Sequence, residues 1–126
     1  MSSPVSRWLR GFPPALRGLR RLVQTERHAR FHLVATVVVV ALAVLLEVPR
    51  LEAVALTLAV GAVWTAEALN SALERLADRV TRERDPEIGE AKDLAAGAVL
   101  ASATMALLVG AFVLGPRLVA WIAAAM

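Results

Sequence analysis

Glu67, Asn70, Glu74 and Asp78 follow one another at intervals of three, four and four, directly after Ala53–Ala66, a stretch that carries no charge. At 100° per residue these positions fall within roughly an 80° arc of a helix, forming one acidic stripe. An ionisable group inside a bilayer is costly and by default marks function. With the hydrocarbon ending near Ala72, Glu67 lies roughly 7 Å inside it, while Glu74 and Asp78 stand at or beyond the boundary. A carboxylate at that depth suits a general base for a reacting group at the headgroup boundary. The outer carboxylates are placed to meet a hydrated, anionic, metal-bound ligand from the water side. Lipid inside and water-soluble co-substrate outside is the geometry of an interfacial enzyme. Cross-helix hydrogen bonding accounts for one such residue; four on one stripe point to a site.

Other polar groups cluster near the same boundary. Lys92-Asp93 follow Gly89 at the start of an apolar run. A lysine there serves as a membrane anchor or, facing the acidic stripe, as a point charge for phosphate oxygens. Glu26 precedes another apolar run, with His28, Arg30 and His32 just behind it. Two histidines four residues apart beside arginines read as interfacial anchors rather than as a zinc site. Carboxylates with oxygen partners fit magnesium better. The seven glycines permit neither G-x-x-x-x-G-K-[ST] nor G-x-G-x-x-G, so any nucleotide is held by other means. No G-x-S-x-G elbow is present, and without cysteine there are no disulfides or thiolate metal sites.

These residues need a scaffold, and composition dictates its class. At 126 residues, 58 % hydrophobic and mean hydropathy +0.62, the chain is too apolar for a water-soluble domain of this size. Leu33–Leu46, Ala53–Ala66 and Leu94–Gly115 contain no Asp, Glu, Lys or Arg. With apolar flanks they give about 27, 30 and 33 Å of helix, enough to cross a bilayer three times. The expected fold is all-α and integral to the membrane. Three transmembrane helices cover 29–48, 51–81 and 88–123, preceded by an amphipathic surface helix over 5–24, in one domain spanning 1–126. In the surface helix, Val5, Trp8, Leu9, Phe12, Leu16, Leu19 and Val23 recur at helical spacing between arginines. Pro13-Pro14 either kinks it or opens a second short helix. Asp85-Pro86-Glu87 separates the second span from the third. Alanine and glycine at 91, 95, 98 and at 97, 101 supply close-packing surfaces on the third.

Charge sets the expected orientation. Seven arginines from Arg7 to Arg30 precede the first span, and Arg75, Arg79, Arg82, Arg84 and Lys92 lie between the second and third. Only Arg50 occupies the other loop. By the positive-inside rule the N-terminus and the 75–93 segment face the cytoplasm and the C-terminus lies outside, in a multi-pass protein of the plasma membrane. A cleavable signal peptide fits poorly, because thirty Arg-rich residues come first and no small-residue cleavage site follows. Anionic headgroups, not nucleic acid, are the partner these arginines suit.

The assembled residues resemble the small prokaryotic diacylglycerol kinases, including the undecaprenol kinases. The resemblance runs from Ala15–Leu19 through Glu26, Arg30, Phe31, His32 and Leu33 to Glu67-Ala68-Leu69-Asn70-Ser71-Ala72-Leu73-Glu74 with Asp78. It closes on Ala91-Lys92-Asp93-Leu94-Ala95-Ala96-Gly97-Ala98-Val99. It implies transfer of the γ-phosphoryl group of ATP to the hydroxyl of a membrane lipid alcohol, undecaprenol or diacylglycerol, with Mg2+, by a homotrimer whose sites are shared between subunits. By the same resemblance, Glu67 is the general base and Asn70 helps orient the hydroxyl. Glu26 and Glu74 hold the metal, and Lys92 contacts the phosphates. Asp78, Glu83, Arg84, Asp85 and Asp93 surround the nucleotide, while Arg7, Arg17, Arg30 and His32 contact the lipid. The chain departs from the family in Pro13-Pro14 and in a Thr81–Pro86 loop without the aromatic often seen there. His32 matches the undecaprenol-kinase branch. Two rivals remain at this level: a small proton-coupled transporter using Glu67, and a non-catalytic assembly subunit in which the stripe is packing glue.

Overall fold

A computed structural model describes residues 10–126 and places them in four helices. Helix α1 covers Phe12–Thr25, α2 Arg27–Leu45, α3 Arg50–Val80 and α4 Pro86–Ala125. Residues 5–9 of the expected surface helix, with Arg7 and Trp8, lie outside the described residues. Among the described residues the three long helices are each long and apolar enough to cross a membrane. The chain is thus all-α, with an N-terminal helix preceding three membrane-length ones.

Local sequence explains each boundary. Pro13 and Pro14 sit in the first turn of α1, where a missing N–H costs nothing, and the Pro-Pro pair opens that helix. Glu26 ends α1 and begins α2 in an extended conformation (φ −99°, ψ 125°), so one residue forms the corner between them. At the end of α2, Glu47 N–H bonds Val44 C=O and Val48 N–H bonds Ala43 C=O, the pairing of a Schellman motif. Its left-handed position is Glu47 (φ 48°), where glycine is the usual residue. Pro49 then blocks continuation and caps α3. Asp85 accepts hydrogen bonds from the N–H groups of Glu87 (2.9 Å) and Ile88 (3.2 Å), so α4 starts at Pro86 with a filled cap.

Helices α3 and α4 run antiparallel, as their two cross-links require. Asp78 meets Lys92 at one end of the pair and Glu52 meets Arg117 at the other. About 25 residues separate these links on each helix, or about 38 Å, slightly more than a hydrocarbon core. Helix α2 packs beside α3, and α1 folds back against both. Among the described residues, Leu22, Ala29, Leu56, Val63 and Leu114 are the buried apolar side chains, joined by Glu67 and Ser71. Leu56, Val63, Glu67 and Ser71 occupy one face of α3, so the acidic stripe continues the helix's inward face.

Candidate active site

Glu67 is 3 % exposed, held on the inward face of α3 against the first turns of α2. Its Oε2 lies 3.9 Å from Nε2 of His32, too far for a hydrogen bond. One additional oxygen placed off that line can sit within hydrogen-bond distance of both atoms. On the membrane side of His32, a cavity of about 370 Å³ opens between α2, α3 and α4. Its walls include Phe31, Val39, Val60, Val63 and Leu107, so it is an apolar slot. The polar groups at its His32 end satisfy one another: Trp64 Nε1 donates to Thr36 Oγ1 (3.0 Å), which donates to the His32 carbonyl (2.7 Å). The cavity reaches His32, whose Nε2 stands 3.9 Å from the buried Glu67 carboxylate.

One turn further along α3, Asn70 Nδ2 donates to Glu74 Oε1 at 3.3 Å. The Oδ1 atom of Asn70 is buried without a hydrogen-bond partner. A buried polar atom left unmade is expensive, which marks this oxygen as waiting for a donor or a cation. Beyond it the charges pair crosswise. Lys92 Nζ is 2.6 Å from Asp78 Oδ1. Glu26 Oε1 accepts from Arg75 Nη2 at 3.0 Å, and the same guanidinium also donates to Thr25 Oγ1. Among the described residues, no group of three or more His, Asp or Glu side chains converges as a metal cage. Magnesium seldom needs one, because phosphates and water complete its octahedron around one or two carboxylates. Glu26, Glu74 and the unpartnered Asn70 Oδ1 are oxygen donors, the chemistry such an ion takes.

The remaining sequence-predicted residues are distributed around this core. Arg17 and Arg30 are exposed on α1 and α2, and Arg84 and Asp93 are exposed near the start of α4. Glu83 donates its N–H to Thr81 Oγ1, shaping the α3–α4 loop. The Asp85 carboxylate serves as the α4 cap. Glu26 and Glu74 share no partner: the first faces Arg75, the second Asn70. Sequence reasoning missed Arg75, Thr36 and Trp64 as participants. Arg75 sits off the acidic stripe, and only the fold brings α2 beside Trp64. Arg117 was also missed; its guanidinium makes three contacts of 2.9–3.2 Å with Glu52, at the end of the bundle away from Glu67.

Comparison with known proteins identifies the lineage. The sequence pattern of prokaryotic diacylglycerol kinase matches residues 14–114, a span that includes every candidate site residue except Arg7. The chain belongs to the prokaryotic diacylglycerol kinase family. It is 32 % identical over 114 residues to the undecaprenol kinase of Bacillus subtilis, covering 90 % of this chain and 93 % of that protein. It is 36 % identical over 108 residues to a diacylglycerol kinase of Synechocystis, covering 85 % of this chain and 62 % of that protein. Membership makes this chain a lipid-alcohol kinase, a phosphotransferase. The transporter and assembly-subunit readings give way to it.

Proposed function

We propose that this kinase transfers the γ-phosphoryl group of ATP to the hydroxyl of undecaprenol or diacylglycerol at the cytoplasmic face of the plasma membrane. The observation that carries the reading is the buried Glu67 standing 3.9 Å from His32, which lines an apolar slot. The lipid's hydrocarbon lies in the slot and its hydroxyl reaches the gap between Glu67 and His32. Glu67 accepts the hydroxyl proton as the oxygen forms its bond to the γ-phosphorus and the bond from that phosphorus to the ADP oxygen breaks. His32 flanks the same oxygen and limits where it can sit. Such transfer needs mainly positioning and charge neutralisation, which a compact set of fixed polar groups supplies.

Glu26 and Glu74 hold magnesium, with Asn70 steadying Glu74 through its amide and offering Oδ1 as a further oxygen. The ion neutralises charge on the transferring phosphates. Lys92, leaving Asp78, supplies a point charge to the same phosphates. Glu83, Arg84, Asp85 and Asp93 border the nucleotide from the α3–α4 loop and the first turns of α4. Arg7, Arg17 and Arg30 face anionic headgroups. The excess of Arg and Lys before α2 and between α3 and α4 supports a cytoplasmic N-terminus and loop, with the C-terminus outside. A homotrimer with shared sites accords with the family resemblance and with the many large apolar side chains exposed on the single chain.

Purified protein in detergent, given Mg·ATP and either lipid alcohol, tests the proposal. Phosphate appears on the lipid only when protein, magnesium, ATP and lipid alcohol are all present. ATP consumption indifferent to the lipid alcohol contradicts it, and the two acceptors compared side by side identify the preferred one.

A further inference from the structure

The corner between α1 and α2 is a single residue, Glu26, and its carboxylate is already engaged. Arg75 Nη2, on α3, donates to Glu26 Oε1 and to Thr25 Oγ1, and Thr25 Oγ1 also lies within reach of Glu26 Oε1 (3.2 Å) and of the Arg21 carbonyl (2.9 Å). One guanidinium thus ties the last turn of α1, the corner and α3 together. Under this tie lies a second cavity of about 470 Å³ between α1 and α3, lined by Gly18, Leu19, Leu22, Ala68, Ser71 and Arg75. Leu22 and Ser71 face each other across that joint and are each 5 % exposed. Leu22 is the one buried residue of α1, and Phe12, Leu16 and Leu19 are exposed beside Arg17, Arg20 and Arg21.

Arg75 holds Oε1 of Glu26, so a divalent cation that takes that oxygen, or chelates both oxygens of the carboxylate, displaces the guanidinium. We infer that Arg75 is a positioning residue that holds Glu26 against α3 in the empty enzyme and yields it to magnesium when the metal–nucleotide binds. The exchange unties the α1–α2 corner. This rests on the reading of Glu26 as a metal ligand. The tie is a partly exposed ion pair, 45 % and 31 % accessible on its two side chains, so a dication bound to phosphates competes with it readily. Freed of Glu26, Arg75 has its charge available to the incoming phosphates. Helix α1 then loosens over Ser71 and Ala68, which lie one turn or less from Glu67. Nucleotide loading in this way loosens the α1 cover on the α3 segment that carries the base.

The chain has no cysteine, so one introduced thiol reports on the joint. In Ser71→Cys, the rate of reaction with a small maleimide is measured in detergent, with and without Mg2+ and a non-hydrolysable ATP analogue. The expected result is a several-fold faster reaction when metal and analogue are both present, and no change with the analogue in EDTA. Adding Arg75→Gln or Glu26→Gln makes the reaction fast from the outset and insensitive to metal–nucleotide. Leu22→Cys, on the opposite wall, gives the same pattern and replaces Ser71→Cys should that variant fail to assemble. A rate unaffected by metal–nucleotide in the parent, or unaffected by Arg75→Gln, overturns the exchange. Binding of the Mn2+–analogue complex, followed by electron paramagnetic resonance, separates this from the underlying reading. Glu26→Gln weakening that binding upholds Glu26 as ligand whatever the thiol shows. Undiminished binding removes the ligand role and the exchange with it.

Discussion

The two ends of the α3–α4 pair handle charge in opposite ways. At one end Glu52 and Arg117 close on each other through three contacts of 2.9–3.2 Å, a fork-to-fork arrangement that spends both carboxylate oxygens. At the other end the partners are open. His32 and Glu67 stand 3.9 Å apart, Asn70 Oδ1 has no partner, and Glu26 and Lys92 are each tied to an opposite charge by a single short contact. A closed pair offers nothing to a ligand, whereas an open set can exchange its partners for a metal, a phosphate or a hydroxyl. Charge within a membrane bundle therefore marks a site only where its partners remain unspent. Glu52 and Glu67 lie on the same helix and differ in their neighbours.

Substitutions at the two ends sharpen this contrast. Glu67→Gln keeps shape and polarity but removes the proton acceptor, so turnover falls by about 10²- to 10⁴-fold while metal–nucleotide binding persists. Steady-state phosphate transfer to lipid, alongside a nucleotide-binding titration, checks both halves; full activity ends the base assignment. Asn70→Ala frees the Glu74 carboxylate and deletes the unpartnered Oδ1. The magnesium needed for half-maximal activity rises by about 10- to 100-fold, and an unchanged titration counts against the metal assignment. At the closed end, Arg117→Gln lowers thermal stability by about 1 kcal/mol and leaves turnover per assembled enzyme within about twofold. Collapse of turnover with intact assembly would break the contrast. The smallest effect is expected at Glu47→Gly, which relieves a left-handed backbone and stabilises the fold by about 0.5 kcal/mol, read from the melting temperature.

The sequence makes the three long helices and the N-terminal helix plain because uncharged runs of bilayer length leave little alternative. The acidic stripe was equally legible, since the residues belong to one helix and need only a period of 3.6. Contacts between helices were not. Arg75 lies off the stripe, and its link to Glu26 spans 49 residues of chain. The Glu52–Arg117 pair spans 65, and Arg117 sits in an apolar stretch where it looks like a stray charge. Trp64 and Thr36 are unremarkable until α2 lies beside α3. The α2–α3 turn was hidden for a different reason: its left-handed residue is a glutamate, which gives no turn signal.

The central claim is that a carboxylate beneath the membrane surface and a carboxylate in water above it belong to one site on one leaflet. Single cysteines at Glu67→Cys and Glu74→Cys, in vesicles of known orientation, test this most directly. The account predicts that Glu74→Cys reacts with a membrane-impermeant thiol reagent from the cytoplasmic side alone. Glu67→Cys should react only with a membrane-permeant reagent. Impermeant reagent modifying the two positions from opposite faces, or modifying both at equal rates, would contradict it.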